Sequence, residues 1–407
     1  MHMTFDFSSV ARAGLPAPAQ RFGGHPPYNF VGGNNAEEMV PVDALRAAAD
    51  RVLAREGASL GMYNLHSGPQ GHLPLREWLS GKLKRYAGMD CPADDIMLTS
   101  GSLQAMDLIN EVLLAPGDTV LIEAANYGGV FPRLARRQAT VVPIAVDGEG
   151  MRMDALEDAL KRLAANGVRP KCIYTIPTVQ NPTGTILPLD RRERMMELAR
   201  EYDTAVFEDE CYADLVWSGE RPPALAAMDP DGRVVHIGTF SKTIAPALRV
   251  GYIAAPWSMM SRILSVKHDA GSGALEQMVL AEYLPDHFDA HLMAMNAHLE
   301  DKLDNLIAAL DENFGTSVHY TKPPGGIFLW VRMPDGVDTD RLTAVAGQAG
   351  IAVNPGSEWS LEDDRTRWIR ICFANPPKDA ITEGVAKLAE VCHAEFGVPE
   401  VSANRRL

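Results

Sequence analysis

The sequence has few cysteines and no long hydrophobic run. Its five cysteines are far apart among 407 residues, and no two of them form a Cys-x-x-Cys pair, which argues against a disulfide framework and against a zinc site. The chain has no stretch of about 18 consecutive apolar residues, the length that a membrane-spanning helix needs. The first residues also lack the basic and apolar blocks of a signal peptide. We therefore expect a cytoplasmic protein with no bound metal and no membrane partner.

Basic residues are also scarce relative to acidic ones. The chain contains 38 Lys and Arg against 53 Asp and Glu, which gives a net charge of −15. Such a chain repels the phosphate backbone of nucleic acids, so we expect no nucleic-acid partner. Hydrophobic residues make up 46% of the chain and charged residues 22%, proportions that are typical of a folded globular protein and not of a disordered one.

Seven short β-rich runs lie between positions 95 and 256, and helical patterns separate several of them. One helical pattern covers 153–167, where Leu156 and Leu160 share a face and Asn-Gly provides a stop signal. Another covers 190–203. Alternating strands and helices predict an α/β fold with a largely parallel sheet. The seven runs are 95–100, 118–124, 139–146, 171–177, 204–210, 233–240 and 250–256.

The pattern changes after the last of these runs. A mainly helical stretch covers 257–314, and two strand patterns, 325–334 and 367–374, enclose a helical pattern near 338–350. This order indicates a second, smaller α+β domain.

The domain boundaries follow from these changes. The first residues are rich in Gly, Pro and Ala and have no sustained periodicity. We expect an irregular N-terminal arm over 1–41, a large domain over 42–285, and a small domain over 286–407 that packs with the arm.

The segment GTFSKTIAPALRVGY (238–252) places a lysine, hydroxyl groups and an arginine around one loop. The amine of Lys242 is suited to forming a Schiff base with a cofactor aldehyde. Thr239, Ser241 and Arg249 are suited to binding the phosphate of the same cofactor. Taken alone, Ser-Lys is a weak signal, because most such lysines are solvated surface residues.

Three further motifs carry residues that such a cofactor needs. NPTG contributes Asn181, and FEDECY contributes Asp209, whose carboxylate can keep a pyridinium nitrogen protonated, and Tyr212, which can reach a ring hydroxyl. In LTSGSLQAMDLI (98–109), Ser-Gly-Ser precedes a helix and forms a ready phosphate site. Taken singly, Asn181 is better explained as a turn former and Asp209 as part of an acidic loop, and Ser-Gly-Ser is equally well explained as a helix cap. Together they follow the carboxyl ends of predicted strands, where ligands of open α/β sheets bind, and this arrangement favours the combined interpretation.

With these motifs the sequence resembles the pyridoxal-phosphate-dependent fold-type I aminotransferases of class I/II. It is most similar to their kynurenine/2-aminoadipate, or multi-substrate, branch, over about residues 32–388. Asn181 and Asp209 are 28 positions apart, and Lys242 and Arg249 are 7 apart, as in that branch. PPGGIFLWVRMP and WIRICFANP match its small-domain segments.

The resemblance implies a large domain with a mostly parallel seven-stranded sheet flanked by helices, together with a smaller α+β domain. It implies pyridoxal 5'-phosphate as the cofactor. The implied reaction moves the amino group of an L-amino acid to a 2-oxo acid, 2-oxoglutarate or pyruvate, in a two-step ping-pong exchange. The resemblance also implies a homodimer with shared active sites.

The resemblance assigns roles around the cofactor ring. Lys242 matches the Schiff-base lysine, which also moves the proton at Cα, and Asp209 matches the partner of the pyridinium nitrogen. Asn181 and Tyr212 match the pair that bonds the ring O3′, and Tyr127 matches the aromatic residue stacked on the ring. We expect Lys242, Asp209 and Tyr212 to be the catalytic residues.

The resemblance also assigns the phosphate and substrate sites. Arg370 matches the arginine that holds the substrate α-carboxylate in a bidentate manner. Asn181 and Gly33 are expected beside it. The residues that match the phosphate cup are Ser102, the backbone of Leu103, Thr239, Ser241 and Arg249.

Three departures from that branch bear on the site. Leu103 stands where a Gln is common, so the phosphate is left with its backbone N–H, or with Gln104 as a substitute. A Tyr that the neighbouring subunit donates to the phosphate is replaced by His66, and Tyr63 lies three residues earlier. We expect His66, or Tyr63 after a loop shift, to make that cofactor contact. The arm segment FVGGNNAEEMVP lacks the usual Pro, which leaves the substrate open.

Two other functions are compatible with parts of the pattern. Elimination, decarboxylation, cyclisation or racemisation at Cα would use the same cofactor residues, since the orientation of Cα decides which bond breaks. A DNA-binding regulator with a fused winged helix is disfavoured, because only about 40 residues precede the domain and they are rich in Gly and Pro.

Overall fold

The computed structural model describes residues 5–12, 14–19 and 21–399. These described residues form ten α-helices and fifteen β-strands. The helices are α1 (Val42–Glu56), α2 (Leu73–Ala87), α3 (Ser102–Leu113), α4 (Val130–Arg136), α5 (Met153–Ala165), α6 (Leu189–Glu201), α7 (Trp257–Val266), α8 (Ala274–Asn313), α9 (Thr339–Gln348) and α10 (Lys378–Phe396). The strands are β1 (Tyr28–Asn29), β2 (Ile96–Thr99), β3 (Thr119–Glu123), β4 (Thr140–Ile144), β5 (Val146–Asp147), β6 (Gly150–Met151), β7 (Cys172–Thr175), β8 (Ala205–Asp209), β9 (Val234–Thr239), β10 (Gly251–Ala254), β11 (His319–Tyr320), β12 (Phe328–Arg332), β13 (Ile351–Ala352), β14 (Asn354–Pro355) and β15 (Trp368–Cys372).

Seven strands form the central sheet, in the order β2-β10-β9-β8-β7-β3-β4. β10 runs antiparallel to both of its neighbours, and the other neighbouring pairs are parallel. β2 therefore points in the same direction as β9, and the carboxyl ends of six strands lie on one edge of the sheet. The predicted α/β fold with a mostly parallel seven-stranded sheet is confirmed, and each of the seven predicted runs contains one of these strands.

Burial explains why the strand runs are apolar and the helices are amphipathic. Strands β2, β3, β7, β9 and β10 are buried along their whole length, as expected for a sheet covered by helices on both faces. α5 buries Leu156, Ala159 and Leu160 and ends one residue before Asn166, with Gly167 at a φ of 69°. Because glycine adopts this left-handed conformation without strain, the predicted helix stop is confirmed.

A second, antiparallel sheet has the order β11-β12-β15-β14. The long helix α8 packs against α1, α2 and α10. Four leucines at helical spacing form part of the buried face of α8: Leu299, Leu303, Leu306 and Leu310.

The N-terminal segment joins the second sheet region from Tyr28 onward. β1 pairs in parallel with β13, and the carbonyl of the buried Phe30 accepts a hydrogen bond from the backbone of Cys372. The described residues from 5 to 25 are exposed. Residues 1–4, 13 and 20 of the predicted arm, and 400–407 of the predicted small domain, lie outside the described residues.

The expected boundary at 285/286 falls within α8, which is continuous from Ala274 to Asn313. The division into an arm, a large domain and a small domain stays a proposal, with α8 shared between the two larger parts.

Candidate active site

Segments that follow four strands of the central sheet converge on one edge. The segment after β2 leads to Ser102, β8 ends at Asp209, and the segments after β7 and β9 carry Asn181 and Lys242. Because these strands point in the same direction, their carboxyl ends lie together. The structure therefore brings the four sequence motifs into one site.

Asp209 is a buried carboxylate at the end of β8. Its Oδ2 accepts a hydrogen bond of 2.8 Å from the Tyr174 hydroxyl, and its Oδ1 accepts one of 3.2 Å from the backbone N–H of Cys211. Burial raises the pKa of Asp209, and these hydrogen bonds act in the opposite direction. The carboxylate is thus held in a fixed orientation by β7 and by the segment that follows β8.

Asn181 connects two predicted site residues. Its Nδ2 donates to the Tyr212 hydroxyl over 3.2 Å, and its Oδ1 accepts from Arg370 Nη1 over 3.3 Å. The ring of Tyr212 in turn meets Phe328 edge to face, with centroids 5.9 Å apart. One amide therefore fixes the separation between the tyrosine hydroxyl and the guanidinium.

The guanidinium of Arg370 lies between two aromatic rings, 3.7 Å from the centroid of Phe328 and 3.5 Å from that of Trp359. Its Nη2 donates to Asn354 Oδ1 over 2.7 Å and to the carbonyl of Val31 over 3.1 Å. Burial lowers the pKa of Arg370 to about 10, so it still carries its charge at neutral pH. Its buried Nε has no hydrogen-bond partner among the described residues, and a carboxylate is the natural acceptor for such a donor.

Lys242 is enclosed between the arm and the central sheet. Its Nζ donates to the carbonyl of Gly33 over 2.5 Å and lies 5.8 Å from the centroid of the Tyr212 ring. A Cβ atom on Gly33 would lie 3.3 Å from this nitrogen, so a larger residue would crowd the amine. Burial lowers the pKa of Lys242, which makes its neutral, basic form more accessible.

The amino terminus of α3 and the loop after β9 form a cup of hydrogen-bond donors. Gly101 precedes α3 with a φ of 78°, and a Cβ atom there would collide with the Arg249 guanidinium. Arg249 donates to the carbonyl of Ser100 and to the Ser241 hydroxyl, and Thr239 donates to the same hydroxyl over 3.0 Å. A helix amino terminus with an arginine beside it is a typical site for an anion.

Two cavities meet at Lys242. The smaller, of about 130 Å³, is lined by the cup and by Asp209. The larger, of about 940 Å³, contains Arg370, Asn181 and Gly33. Four residues line both cavities: Tyr127, Tyr212, Lys242 and Pro246.

The donors of the smaller cavity, together with Asn181 from the adjoining larger cavity, fit pyridoxal phosphate. The cup matches the phosphate, and the Asp209 carboxylate matches a protonated ring nitrogen. The Asn181–Tyr212 pair matches a ring hydroxyl, and the Lys242 amine matches the aldehyde. Gly101 leaves space for the Arg249 guanidinium, so the cup depends on the absence of a Cβ atom at this position.

Most predicted site residues lie in this region. Ser102 and Leu103 line the smaller cavity, and Leu103 stands at the start of α3 as expected. Gln104 does not face the cup, because its side chain accepts from the backbone of Ser100 and donates to Asp269. The suggestion that Gln104 replaces the missing phosphate contact stays a prediction, which these two side-chain partners do not favour.

His66 and Tyr63 do not join the site of this chain. Both belong to the short 3₁₀ turn Tyr63–His66, and both side chains are exposed. Neither lines the two cavities described above. Their assignment to the phosphate of a neighbouring subunit stays a prediction.

Sequence reasoning missed several residues of the site: Tyr174, Phe328, Asn354 and Trp359. Tyr174 and Phe328 lie inside predicted strands, so alternation along those strands could have identified them once the partner strands were known. Nothing local marks Trp359, which follows a short 3₁₀ turn and reaches Arg370 only through the tertiary fold.

Comparison with known proteins agrees with this geometry. Residues 29–388 match the family model described as aminotransferase class I and II. The chain is 34% identical to aromatic-amino-acid aminotransferase 1 of Thermococcus litoralis over 90% of this chain and 88% of that protein. The multiple substrate aminotransferase of Thermococcus profundus has a TM-score of 0.88 and 31% identity, covering 96% of this chain and 99% of that one. The Pyrococcus horikoshii kynurenine aminotransferase, solved with PMP, has a TM-score of 0.85 and 32% identity, covering 92% of both chains.

The fold and the site thus define a pyridoxal-phosphate enzyme of fold type I. The chain belongs to the class I and II aminotransferase family, and its activity is the transfer of amino groups between small molecules. Among the described residues, none of the helices combines the length and the apolar character of a membrane span. Within the same part of the chain, no group of three or more His, Cys, Asp or Glu side chains is arranged to hold a metal ion.

Proposed function

We propose that the amino donors of this aminotransferase are L-amino acids with large, neutral and chiefly aromatic side chains. The acceptor is a 2-oxo acid, 2-oxoglutarate or pyruvate, in a ping-pong exchange. The position of Lys242 carries the exchange reaction, because this lysine lines both the phosphate-side and the substrate-side cavity. An amino acid held by Arg370 in the larger cavity therefore brings its Cα close to the Lys242 amine.

The walls of the larger cavity support the choice of donor. They include five aromatic and apolar side chains: Tyr127, Phe131, Phe328, Trp359 and Leu361. Such walls stabilise a bound aromatic side chain, because its apolar surface is removed from water. Two of the similar proteins are named for aromatic amino acids and for kynurenine, which supports the same class of donor.

Each catalytic side chain has a distinct task. When bound, pyridoxal phosphate supplies the aldehyde that accepts the amino group and a ring that spreads the charge left at Cα. Arg370 binds the α-carboxylate and directs the Cα–H bond towards Lys242. With the cofactor bound, the Lys242 amine would take the proton from Cα and return it on the cofactor side. Asp209 would keep the ring nitrogen protonated, and Tyr127, which lines the same cavity, would cover one face of the ring.

The remaining contacts hold the cofactor in place. Asn181 and Tyr212 bind its O3′ oxygen, and Tyr212 thereby acts beside Lys242 in the catalytic set. Five donors hold the phosphate: Ser102, the backbone N–H of Leu103, Thr239, Ser241 and Arg249.

We further propose a homodimer in which His66 or Tyr63 completes the phosphate site of the partner. Exposed apolar side chains around this turn support a subunit interface; they are Leu53, Leu60, Met62, Tyr63 and Leu73. Tyr63 is 81% exposed, so its ring is available to a second copy. Sedimentation at micromolar concentration is expected to give a dimer, and a monomer would contradict the shared site.

We also propose that the enzyme acts in the cytoplasm, without nucleic-acid or membrane partners. The net charge of −15 supports the absence of nucleic acid. All five cysteines are unpaired, as is usual in a reducing compartment.

The decisive experiment follows the visible absorption of the holoenzyme as single amino acids are added without any 2-oxo acid. We expect phenylalanine, tyrosine and tryptophan to remove the band of the resting cofactor faster than alanine or aspartate does. 2-Oxoglutarate or pyruvate is expected to restore it. Release of ammonia or CO₂ in place of this exchange would indicate elimination or decarboxylation. Rapid reaction with aspartate and a slow one with phenylalanine would contradict the proposed donor class.

A further inference from the structure

Glu123 is a buried carboxylate that the proposed reaction does not use. It ends β3 and is 2% exposed. Its Oε1 accepts from the Thr175 hydroxyl over 2.5 Å and from the backbone N–H of Ile176 over 3.2 Å. Its Oε2 accepts from Asn126 Nδ2 over 2.7 Å. These three donors are neutral, as is the nearby Gln180 amide, which also lowers the pKa of Glu123, so the buried charge is held by hydrogen bonds and not by an ion pair.

The hydrogen bonds continue from Glu123 to the cofactor-facing residue Tyr127. Asn126 is fully buried, and its Oδ1 accepts from the backbone N–H of Tyr127 over 2.7 Å. The backbone N–H of Asn126 donates to the carbonyl of Trp359 over 2.8 Å. The loop that carries Tyr127 is therefore held between β3 and the segment that contains Trp359, whose ring covers Arg370.

The direction of this chain of hydrogen bonds is set by chemistry. An ionised carboxylate only accepts hydrogen bonds, so Asn126 must turn its NH₂ group towards Glu123. Its oxygen is then left facing the Tyr127 N–H. A neutral side chain at 123 would not impose this orientation, which explains why an acid is useful at a site where burial disfavours its charge.

We propose that Glu123 and Asn126 are positioning residues that fix Tyr127 against the cofactor ring and the wall of the substrate cavity. The inference rests on the proposed contact between Tyr127 and the cofactor. Glu123 acts through Asn126 and touches neither cofactor nor substrate.

The test exchanges the hydrogen-bond donor and acceptor between Glu123 and Asn126. In Glu123→Gln, an NH₂ group can face the Asn126 NH₂ group, and in Asn126→Asp two carboxylates face each other. In the double variant, the amide introduced at position 123 donates to the carboxylate introduced at position 126. The second oxygen of that carboxylate still accepts from the Tyr127 N–H. The double variant therefore restores the chain of hydrogen bonds with the donor and acceptor exchanged.

Two readouts separate positioning from folding. The dissociation constant for pyridoxal phosphate is measured by fluorescence quenching of the cofactor-free protein, and kcat and KM are measured on the loaded enzyme. Burial raises the pKa of Glu123 to about 7, so assays are run at about pH 8.5, where the carboxylate is ionised. Thermal melting of the cofactor-free protein reports stability alone. Glu149→Gln, at an exposed carboxylate, is the matched control.

We expect each single variant to weaken cofactor binding and to lower kcat about tenfold, as loss of one buried hydrogen bond to a charge does. The double variant is expected to recover to within about threefold of the original protein. Single variants that melt earlier but bind the cofactor normally would overturn the inference, and so would a double variant no better than either single one.

Tyr127→Leu distinguishes the failure of the inference from failure of the proposed function. If Tyr127→Leu loses cofactor affinity while the double variant fails to recover, the positioning role is wrong and the role of Tyr127 stands. If Tyr127→Leu binds and turns over normally, the proposed ring contact of Tyr127 is wrong, and the inference is wrong with it.

Discussion

The hydroxyl of Tyr174 donates a hydrogen bond of 2.8 Å to Oδ2 of Asp209. The two residues lie on neighbouring parallel strands, where Tyr174 pairs with Phe207, two residues before Asp209. Burial raises the pKa of Asp209, and the hydrogen bond from Tyr174 opposes that effect. Tyr174 therefore helps to keep the carboxylate ionised at the position where the proposed mechanism needs a negative charge.

Replacing Tyr174 with Phe tests this relationship. The variant keeps the ring that packs on Phe207 but removes the donor, and a hydrogen bond to a charged group contributes about 1.5–3 kcal/mol. We expect kcat to fall by about tenfold or more, as measured in steady-state transamination. Tyr202→Phe, at the end of α6, is the control. A Tyr174→Phe enzyme with the original kcat would show that Asp209 does not depend on this donor.

Lys242→Ala is expected to abolish turnover while leaving the phosphate cup intact. General acid–base catalysis accounts for about 10²–10⁴-fold in rate, so kcat should fall by at least about a hundredfold. Cofactor should still bind, but borohydride should no longer attach it to the protein. Lys84→Ala, an exposed lysine, is the control. Full activity in Lys242→Ala would refute its assignment.

Arg370→Ala and Arg370→Lys separate charge from geometry at the carboxylate site. Alanine removes the planar group stacked between Phe328 and Trp359, whereas lysine keeps a positive charge without the fork. We expect KM for the amino acid to rise by about a hundredfold in the alanine variant and less in the lysine variant. An unchanged KM in Arg370→Ala would remove Arg370 from the substrate site.

The fold and the cofactor side of the site could be predicted from the sequence for one physical reason. Parallel strands buried on both faces form continuous apolar runs, and polar residues that follow them meet at one edge. Lys242 and Asp209 each lie directly beyond or at the end of such a run, so local sequence located them.

The rest depends on contacts between distant segments. Tyr174 reaches Asp209 because of the pairing between β7 and β8, and Trp359 reaches Arg370 because a short turn follows β14. In the sequence, Glu123 only marks the end of an apolar run. Its role becomes visible when the structure shows its hydrogen bond from Thr175 on β7. The expected boundary at 285/286 lies inside the helical stretch predicted over 257–314, where α8 is continuous, and a helical pattern does not indicate which domain each of its faces covers.

A buried ion pair next to the site gives a prediction about stability. Lys82 Nζ lies 2.6 Å from Asp214 Oδ2, and both side chains are largely buried, whereas Lys84 on the same helix is exposed. Removing one partner of a buried pair costs about 3–5 kcal/mol when the other charge is left unpaired, and less here because Arg221 also pairs with Asp214, while an exposed substitution changes stability by about 0.5 kcal/mol or less. We expect Lys82→Met to unfold at clearly lower urea concentration than Lys84→Met. Equal midpoints would mean that Arg221, which also contacts Asp214, replaces the lysine.

Stability should also depend on pH through Glu123. Burial, with a smaller contribution from the nearby Asp209 charge, raises the pKa of Glu123 from 4.5 to about 7 in the folded protein, against the opposing effect of its hydrogen bonds. Between these values the folded state binds more protons than the unfolded state, so the free energy of unfolding falls as the pH rises.

The size of the effect follows from the same shift. Each pKa unit corresponds to about 1.4 kcal/mol, so Glu123 stabilises the fold most below about pH 4.5, and roughly 3 kcal/mol of that contribution is lost by about pH 7. The measurement is urea unfolding of the original protein and of Glu123→Gln across this range, at saturating cofactor. Since glutamine does not titrate, the difference in unfolding free energy between the two proteins should move in favour of Glu123→Gln as the pH rises. Parallel curves would mean that Glu123 titrates near its ordinary value, because its three donors then hold the charge as well as water does.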